Sequence, residues 1–252
     1  MAISGLVITY NEEKNIGNCI EALFEVCEEV IVVDSLSNDK TIEIAKAKGA
    51  KIVSQAFLGD GPQRTHGLQF CKNDWILNLD ADEFLDYDAK DFLQKKIYLN
   101  SDYDAFSFRV KNFLGKKLIN FSGWYPDHKV RFFNKQTAFP SDSKVHQKII
   151  AIKEKKVPVH ILHYGWDSYG QLISKKNQYS TWHASQLFHQ GKRINSFKPI
   201  LNGTVAFFRC YFFKRGFFNG LDGITMALIQ AFFSYAKYAK LLKLQENKKS
   251  IE

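Results

Sequence analysis

The chain has four cysteines in 252 residues, Cys19, Cys27, Cys71 and Cys210, and none belongs to a CxxC pair. That spacing argues against a disulfide framework and against a thiolate metal site, and it fits buried free thiols in a reducing cytosol. No stretch of about 18 uncharged apolar residues occurs, so no spanning helix is expected. The opening "MAISGLVITYNEE" lacks a basic region and a small-residue cleavage site, and it reads as a first strand instead of a signal peptide. Internal repeats are absent. Acidic residues are outnumbered, 26 against 35 Lys and Arg, for a net charge of +9. Such a balance favours anionic partners: nucleic acid, phosphorylated small molecules or an anionic membrane. What is plentiful is apolar and aromatic side chain, 45% and 15%, enough for one large core with an appendage.

Over the first 80 residues β-branched runs alternate with helical periodicity. "ISGLVITY", "EVIVVDS", "AKIVSQ" and "DWILNLD" predict strands, and Ile16 to Phe24, "DKTIEIAKAKGA" and "GPQRTHGLQFCK" predict the helices between them. In the second helix Asp39 suits the cap, Ile42, Ala45 and Ala47 the buried face, and Gly49 the stop. Strand–helix alternation implies a parallel sheet covered on both faces, whose ligands bind beyond the carboxyl ends of the strands. Thr9 to Asn11, Asp34 and Asp80 to Asp82 all occupy such ends. From about residue 102 the pattern becomes that of antiparallel strands and loops, including an aromatic loop "SGWYPDHKVRFFN". From Ser168 onward it is helical, ending in a polar tail "QENKKSIE" expected to fray.

One stretch concentrates the chemistry. "WILNLDADEF" runs a buried strand into Asp80, Asp82 and Glu83. Carboxylates so close repel unless a positive charge sits among them, and a divalent cation supplies one. Exposure of the same loop to water is the plainer alternative.

Together "VITYNEEKNI", "EVIVVDSLSNDKT" and "WILNLDADE" resemble the inverting family-2 glycosyltransferases of GT-A fold. "YPDHKVRFF", "KVHQK" and "HYGWDSYGQLISKKNQYS" resemble a bacterial subgroup containing lipopolysaccharide core β-1,4-glucosyltransferases that act on heptose. The resemblance implies an α/β GT-A domain at 1–165, with a nucleotide-sugar half at 1–100 and an acceptor-side half at 101–165, followed by a helical extension at 166–252. It implies that Thr9, Asn11 and Glu12 line the nucleotide site and that Asp34 accepts from the uracil ring. Arg64 would lie by the base or diphosphate, although Thr65 stands where the subgroup usually has Asn. Asp80 would face the ribose, Asp82, with Asp80 beside it, would coordinate Mg2+ or Mn2+, and Glu83 would stand behind them. Such an ion neutralises the leaving diphosphate.

Inversion needs a base for the acceptor hydroxyl. The subgroup commonly reads "VHE", whereas this chain has Val145-His146-Gln147, and Gln147 cannot accept a proton. Asp127 and His146 remain, with a turn role after Pro126 as the plainer reading of Asp127. Plainer readings also stand beside the others: a capping turn for Asp34, packing for Trp124 in place of stacking on a sugar face of the substrate, a surface ion pair for Arg131 in place of phosphate or loop binding. His160 and His163 read as core or hydrogen-bonded histidines.

The C-terminal "FFRCYFFKRGFF" and the apolar, Lys-interrupted segment after it suggest a helix in the membrane interface over roughly residues 205–245. Arg209, Lys214, Arg215, Lys237 and Lys240 would meet anionic headgroups, with core packing or a dimer contact as the alternative. The expected function is transfer of glucose from UDP-glucose to an inner-core heptose, on the cytoplasmic face of a bacterial inner membrane. Another envelope glycan or a protein side chain as acceptor is the rival within enzymes. An inactive nucleotide-sugar binder, for which Gln147 speaks, and a nucleic-acid-binding protein are the rivals outside them; "DADE" would repel a phosphate backbone, and nucleic acid is not expected as a partner.

Overall fold

The computed structural model describes residues 2–143 and 148–249. The alternating first part forms β1 (Ile3–Thr9), α1 (Ile16–Phe24), β2 (Glu29–Asp34), α2 (Thr41–Ala47), β3 (Lys51–Ser54), α3 (Asp60–Leu68) and β4 (Trp75–Asp80). Then come β5 (Glu83–Leu85), α4 (Tyr87–Gln94), β6 (Ala105–Leu114), β7 (Lys117–Leu118), β8 (Asp127–Asn134), β9 (Phe139–Pro140), β10 (Ile149–Ile150) and β11 (Glu154–Trp166). Three long helices close the chain, α5 (Tyr169–His189), α6 (Lys198–Phe208) and α7 (Leu221–Lys249).

The main sheet has the order β3-β2-β1-β4-β8-β6-β11-β5, with β7 paired to β6. β1 to β4 are mutually parallel, and β8 joins β4 antiparallel. β1, β2 and β4 are buried along almost their whole length, as continuous apolar runs require when both faces are covered. One face packs Val7, Val32 and Leu77 with α1; the other packs Leu6, Ile31, Val33 and Ile76. On that second face Gly67 lets α3 lie close, since a Cβ there would come 2.6 Å from Leu6 Cδ1 and 2.7 Å from Val33 Cγ2. Parallel register pairs Thr9 with Asp34 and Ile8 with Asp80, so the three expected strand ends do share one rim.

Some local expectations needed correction. α2 buries Thr41 and Ala45 and leaves Ala47 exposed, because Ala47 falls outside the stripe set by residues 41, 44 and 45. Asp39 lies one residue before the capping position and accepts instead from the Thr41 backbone N–H at 3.0 Å. The second half of the expected aromatic loop is β8, a strand between β4 and β6. α4, which no periodicity had suggested, is capped by Asp86, whose carboxylate accepts from the Ala89 N–H at 2.9 Å. The polar tail does not fray at Gln245, where helix α7 continues: the buried side chain donates to the Lys192 carbonyl at 2.7 Å.

The chain divides into two compact units, residues 1–111 with 127–165, and 112–126 with 166–252. The second unit has its own core of Ile119, Leu172, Met226, Ile229 and Phe233. Residues 112–126, expected within the acceptor-side half, group with the helices.

Candidate functional site

The rim of the first unit is a network before it is a pocket. Asn11, in a left-handed conformation with φ of 54°, donates its N–H to Ser37 Oγ at 2.9 Å and accepts from the Asn38 N–H at 2.9 Å. The loops after β1 and β2 are thereby tied together. Asp34 is fully buried and accepts from both the N–H and the hydroxyl of Ser37, so the turn role read for it is present. Glu12 donates its N–H to Thr41 Oγ1 and accepts from Asn15 Nδ2, both at 2.8 Å. Buried Thr9 Oγ1 has no hydrogen-bond partner among the described residues.

At the end of β4 the charge cluster acquires its positive members from the protein. Arg64 of α3 is buried and donates to Asn78 Oδ1 and Asp80 Oδ1. Arg131 of β8 donates to Asp80 Oδ2 at 2.8 Å and to Glu83 Oε1 at 2.5 Å. Glu83 is fully buried, and its second oxygen accepts from the Asp80 N–H at 3.1 Å. Burial pushes the Asp80 carboxyl up, but the guanidinium groups of Arg131 and Arg64 outweigh it and hold the group well below the usual carboxylate range. Arg131 in turn is raised, its own burial opposed by Asp80 and Glu83. Neither sequence reading of Arg131 anticipated this; it is a buried bridge between two carboxylates, with Lys129 3.8 Å from the same Glu83 oxygen. The claim that the cluster needs a metal ion for neutrality is therefore corrected for Asp80 and Glu83.

Asp82 is different. It is buried, and its Oδ2 lies 3.5 Å from His163 Nε2 on β11. Antiparallel pairing of β5 with β11 sets His163 opposite Glu83 and lets the Tyr164 N–H donate to the Asp82 carbonyl at 2.9 Å. Gly165 keeps the space open, since a Cβ there would come 2.5 Å from His163 Nε2 and 3.3 Å from Asp82 Oδ2. The sequence reads His163 as a core or hydrogen-bonded histidine, and its carboxylate partner arrives only through strand pairing. Its neighbour His160 is the hydrogen-bonded histidine expected, 3.0 Å from Asp86.

A carboxylate beside an imidazole is a donor set that fits a divalent cation. No cluster of three or more metal-ligating side chains exists among the described residues. Two protein donors suffice where phosphate oxygens and water complete the shell.

Beside the cluster is a cleft of about 460 Å³ whose lining includes Arg64, Asp80, Asp127, Lys129, Arg131 and Lys148. Asp127, the first residue of β8, therefore shares a cavity with Asp80. Trp124 belongs to the second unit, its ring tilted at 55° against that of Trp166 with centroids 4.6 Å apart, in line with the packing reading. His146 and Gln147, the other catalytic candidates, lie outside the described residues.

The glycosyl transferase family 2 profile matches residues 4–153. An uncharacterized glycosyltransferase of Rickettsia typhi is 32% identical over 262 residues, covering 97% of this chain and 87% of that protein. The lipopolysaccharide core biosynthesis glycosyltransferase LpsC of Rhizobium meliloti is 27% identical over 257 residues, covering 96% and 92%. Among solved structures, S. aureus TarS 1-349 in complex with UDP-GlcNAc is similar with a TM-score of 0.50 at 14% identity, over 96% of this chain and 89% of that one. That likeness is one of fold, and the α/β unit with a helical C-terminal region is a GT-A fold. Strand ends, motifs and relatives agree: the chain belongs to glycosyl transferase family 2.

Proposed function

We propose that this glycosyltransferase takes its sugar from a UDP-sugar, UDP-glucose first among them, and transfers it with inversion to a lipid-linked inner-core heptose of lipopolysaccharide. The observation that carries the reading is the juxtaposition, at one strand rim, of the braced Asp80 with the Asp82–His163 pair and a cleft of mixed charge lined by Asp60, Asp127, Lys129 and Lys148. Arg64 and Arg131 orient Asp80, whose carboxylate faces the donor's ribose side. Asp82 and His163 would hold Mg2+ or Mn2+, which supplies Lewis-acid neutralisation of the leaving diphosphate. Lys129 and Lys148 add positive charge where phosphates would enter. Asp127 is the base: it lines the cleft and is a carboxylate able to take the acceptor proton. A lipopolysaccharide-core acceptor is supported by the likeness to LpsC and by the basic charge of the chain, and heptose within that core is what the subgroup motifs imply. A lipid-linked acceptor also puts the enzyme on the cytoplasmic face of a membrane, as a peripheral protein.

Thermal shift with a panel of nucleotide sugars, with and without Mn2+, tests the donor. UDP-glucose plus Mn2+ should stabilise most, and stabilisation only by a non-uridine donor would overturn it. Heptose-terminated lipopolysaccharide should accept label, and Asp127→Asn should lower kcat about 100-fold with donor affinity unchanged. Full turnover by that variant removes Asp127 as the base, and full turnover in EDTA removes the metal.

A further inference from the structure

The helices of the second unit bury one side and leave the other apolar. On α6, Gly203 meets α7 so closely that a Cβ would lie 3.1 Å from Tyr235 Cβ and 3.3 Å from the Ala231 carbonyl oxygen. The opposite stripe, Leu201, Val205, Phe208 and, past the helix end, Phe212, is exposed at helical spacing. On α7 the residues Met226, Ile229, Phe233 and Ala236 are buried, while Leu221, Ile224, Leu228, Phe232 and Tyr235 form a second exposed apolar stripe. A π-helical turn (Arg209–Phe213) and a 3-10 turn (Gly216–Asn219) join the two helices. They leave Phe213 84% and Phe218 62% exposed. Scattered surface apolar residues need no explanation, but continuous stripes of this kind mark an interaction surface.

The charge around these stripes has one sign. Between Asp167 and Asp222 the chain contains no Asp or Glu, but it carries Lys192, Arg193, Lys198, Arg209, Lys214 and Arg215. Asp222 itself is engaged by Lys117 and the Tyr169 hydroxyl. A second copy packed on the same patch about a two-fold axis would set these cations against themselves. A nucleic-acid strand would find phosphate partners and rings to stack on, yet it would leave the aliphatic Leu201, Val205, Leu221 and Leu228 between those rings in water, whereas acyl chains cover both. Among the described residues no helix is long and apolar enough to cross a membrane. Apolar stripes in a wholly cationic surround fit the boundary between acyl chains and anionic headgroups.

We propose that α6, the two turns after it and the first half of α7 form a seat for an anionic phospholipid bilayer. The patch dips its aromatic and aliphatic stripes below the headgroups, and Arg209, Lys214 and Arg215 meet phosphate. This deepens the membrane-surface part of the proposed function and rests on it. It also relocates the surface. Lys240, expected to meet headgroups, instead donates to Asn177, Ser180 and Thr181 of α5 at 2.7–2.8 Å.

Flotation of the full-length chain on phosphatidylcholine vesicles, with and without about one-third phosphatidylglycerol, tests the surface. Binding to the anionic vesicles should exceed binding to the neutral ones. Arg209→Gln/Lys214→Gln/Arg215→Gln should lower it about 100-fold, near fivefold per charge. Phe208→Ser/Phe213→Ser should lower it at least about tenfold. Phe213→Trp, which keeps the apolar bulk, should show a blue-shifted emission on anionic vesicles. Equal flotation of all variants, or emission unmoved by vesicles, overturns the proposal. So does a dimer in solution that Phe208→Ser/Phe213→Ser disperses, or retention of an oligonucleotide in place of vesicles. UDP-glucose thermal shift on the same preparations separates this failure from failure of the donor reading.

Discussion

Replacing Arg131 with Met keeps most of the side-chain volume and removes the charge that bridges Asp80 and Glu83. Losing one partner of a buried ion network generally costs about 3–5 kcal/mol, because a charge is left uncompensated. The structure places this case at the lower end. Arg64 still donates to Asp80, and Lys129 stands 3.8 Å from Glu83. A loss of about 3 kcal/mol corresponds to a fall in Tm of roughly 6–12 °C for a chain of this size. The loss should also depend on pH. In the wild type the Asp80 carboxyl is held far below its ordinary value by Arg131 and Arg64 against the pull of burial. Its contribution is therefore complete above the unfolded-state value of about 3.9 and is lost only as pH falls through the depressed one. Without Arg131, Asp80 keeps its proton to higher pH, so the gap between wild type and variant is widest near neutrality and narrows toward acid. Adding Glu83→Gln should recover about 2 kcal/mol, since the charge that lost its partner is then removed as well. Thermal and urea unfolding of the single and double variants from about pH 2.5 to 8, a range that extends below the unfolded-state value, measure all of this. A gap that ignores pH, or a Glu83→Gln change that adds to the damage, would refute the bridge as the source of stability.

The other tests are shorter. Gly165→Ala should push the His163 ring from Asp82 and weaken Mn2+ binding about tenfold by calorimetry, with the unfolding curve little changed; unaltered binding would remove His163 from the ion's donors. Gly67→Ala should cost about 1–3 kcal/mol by forcing α3 off Leu6 and Val33, and donor affinity should fall with it because Arg64 moves; a neutral result would mean the helix has room to shift. Tyr169→Phe should cost about 1–2 kcal/mol at neutral pH, since the hydroxyl donates to ionised Asp222. Hydrogen bonds from Lys117 and Tyr169 lower the Asp222 carboxyl, so this contribution holds above its ordinary range and should fade as pH falls through the lowered value; a pH-independent loss would contradict it.

The family and the layout of the first unit were legible in the linear chain, because both reside in local patterns. β-branched runs of a few residues, punctuated by turn residues and helical spacing, specify β1 to β4 with their helices. Right-handed, parallel packing then brings Thr9, Asp34 and Asp80 to one rim with no further information. The carboxylate cluster was visible for the same reason. What surrounds that cluster was not visible. Arg131 reaches Asp80 only because β8 inserts beside β4, and His163 reaches Asp82 only because β11 folds back along β5. Strand order among antiparallel partners depends on which long-range pairing buries most surface, and no short stretch of sequence records it. The aromatic and cationic composition of the last third was plain in the sequence, yet composition does not say which side of a helix faces out. The packing of α6 and α7 decided that, by burying Gly203 and Met226 and turning Leu201, Phe208 and Leu228 to the surface.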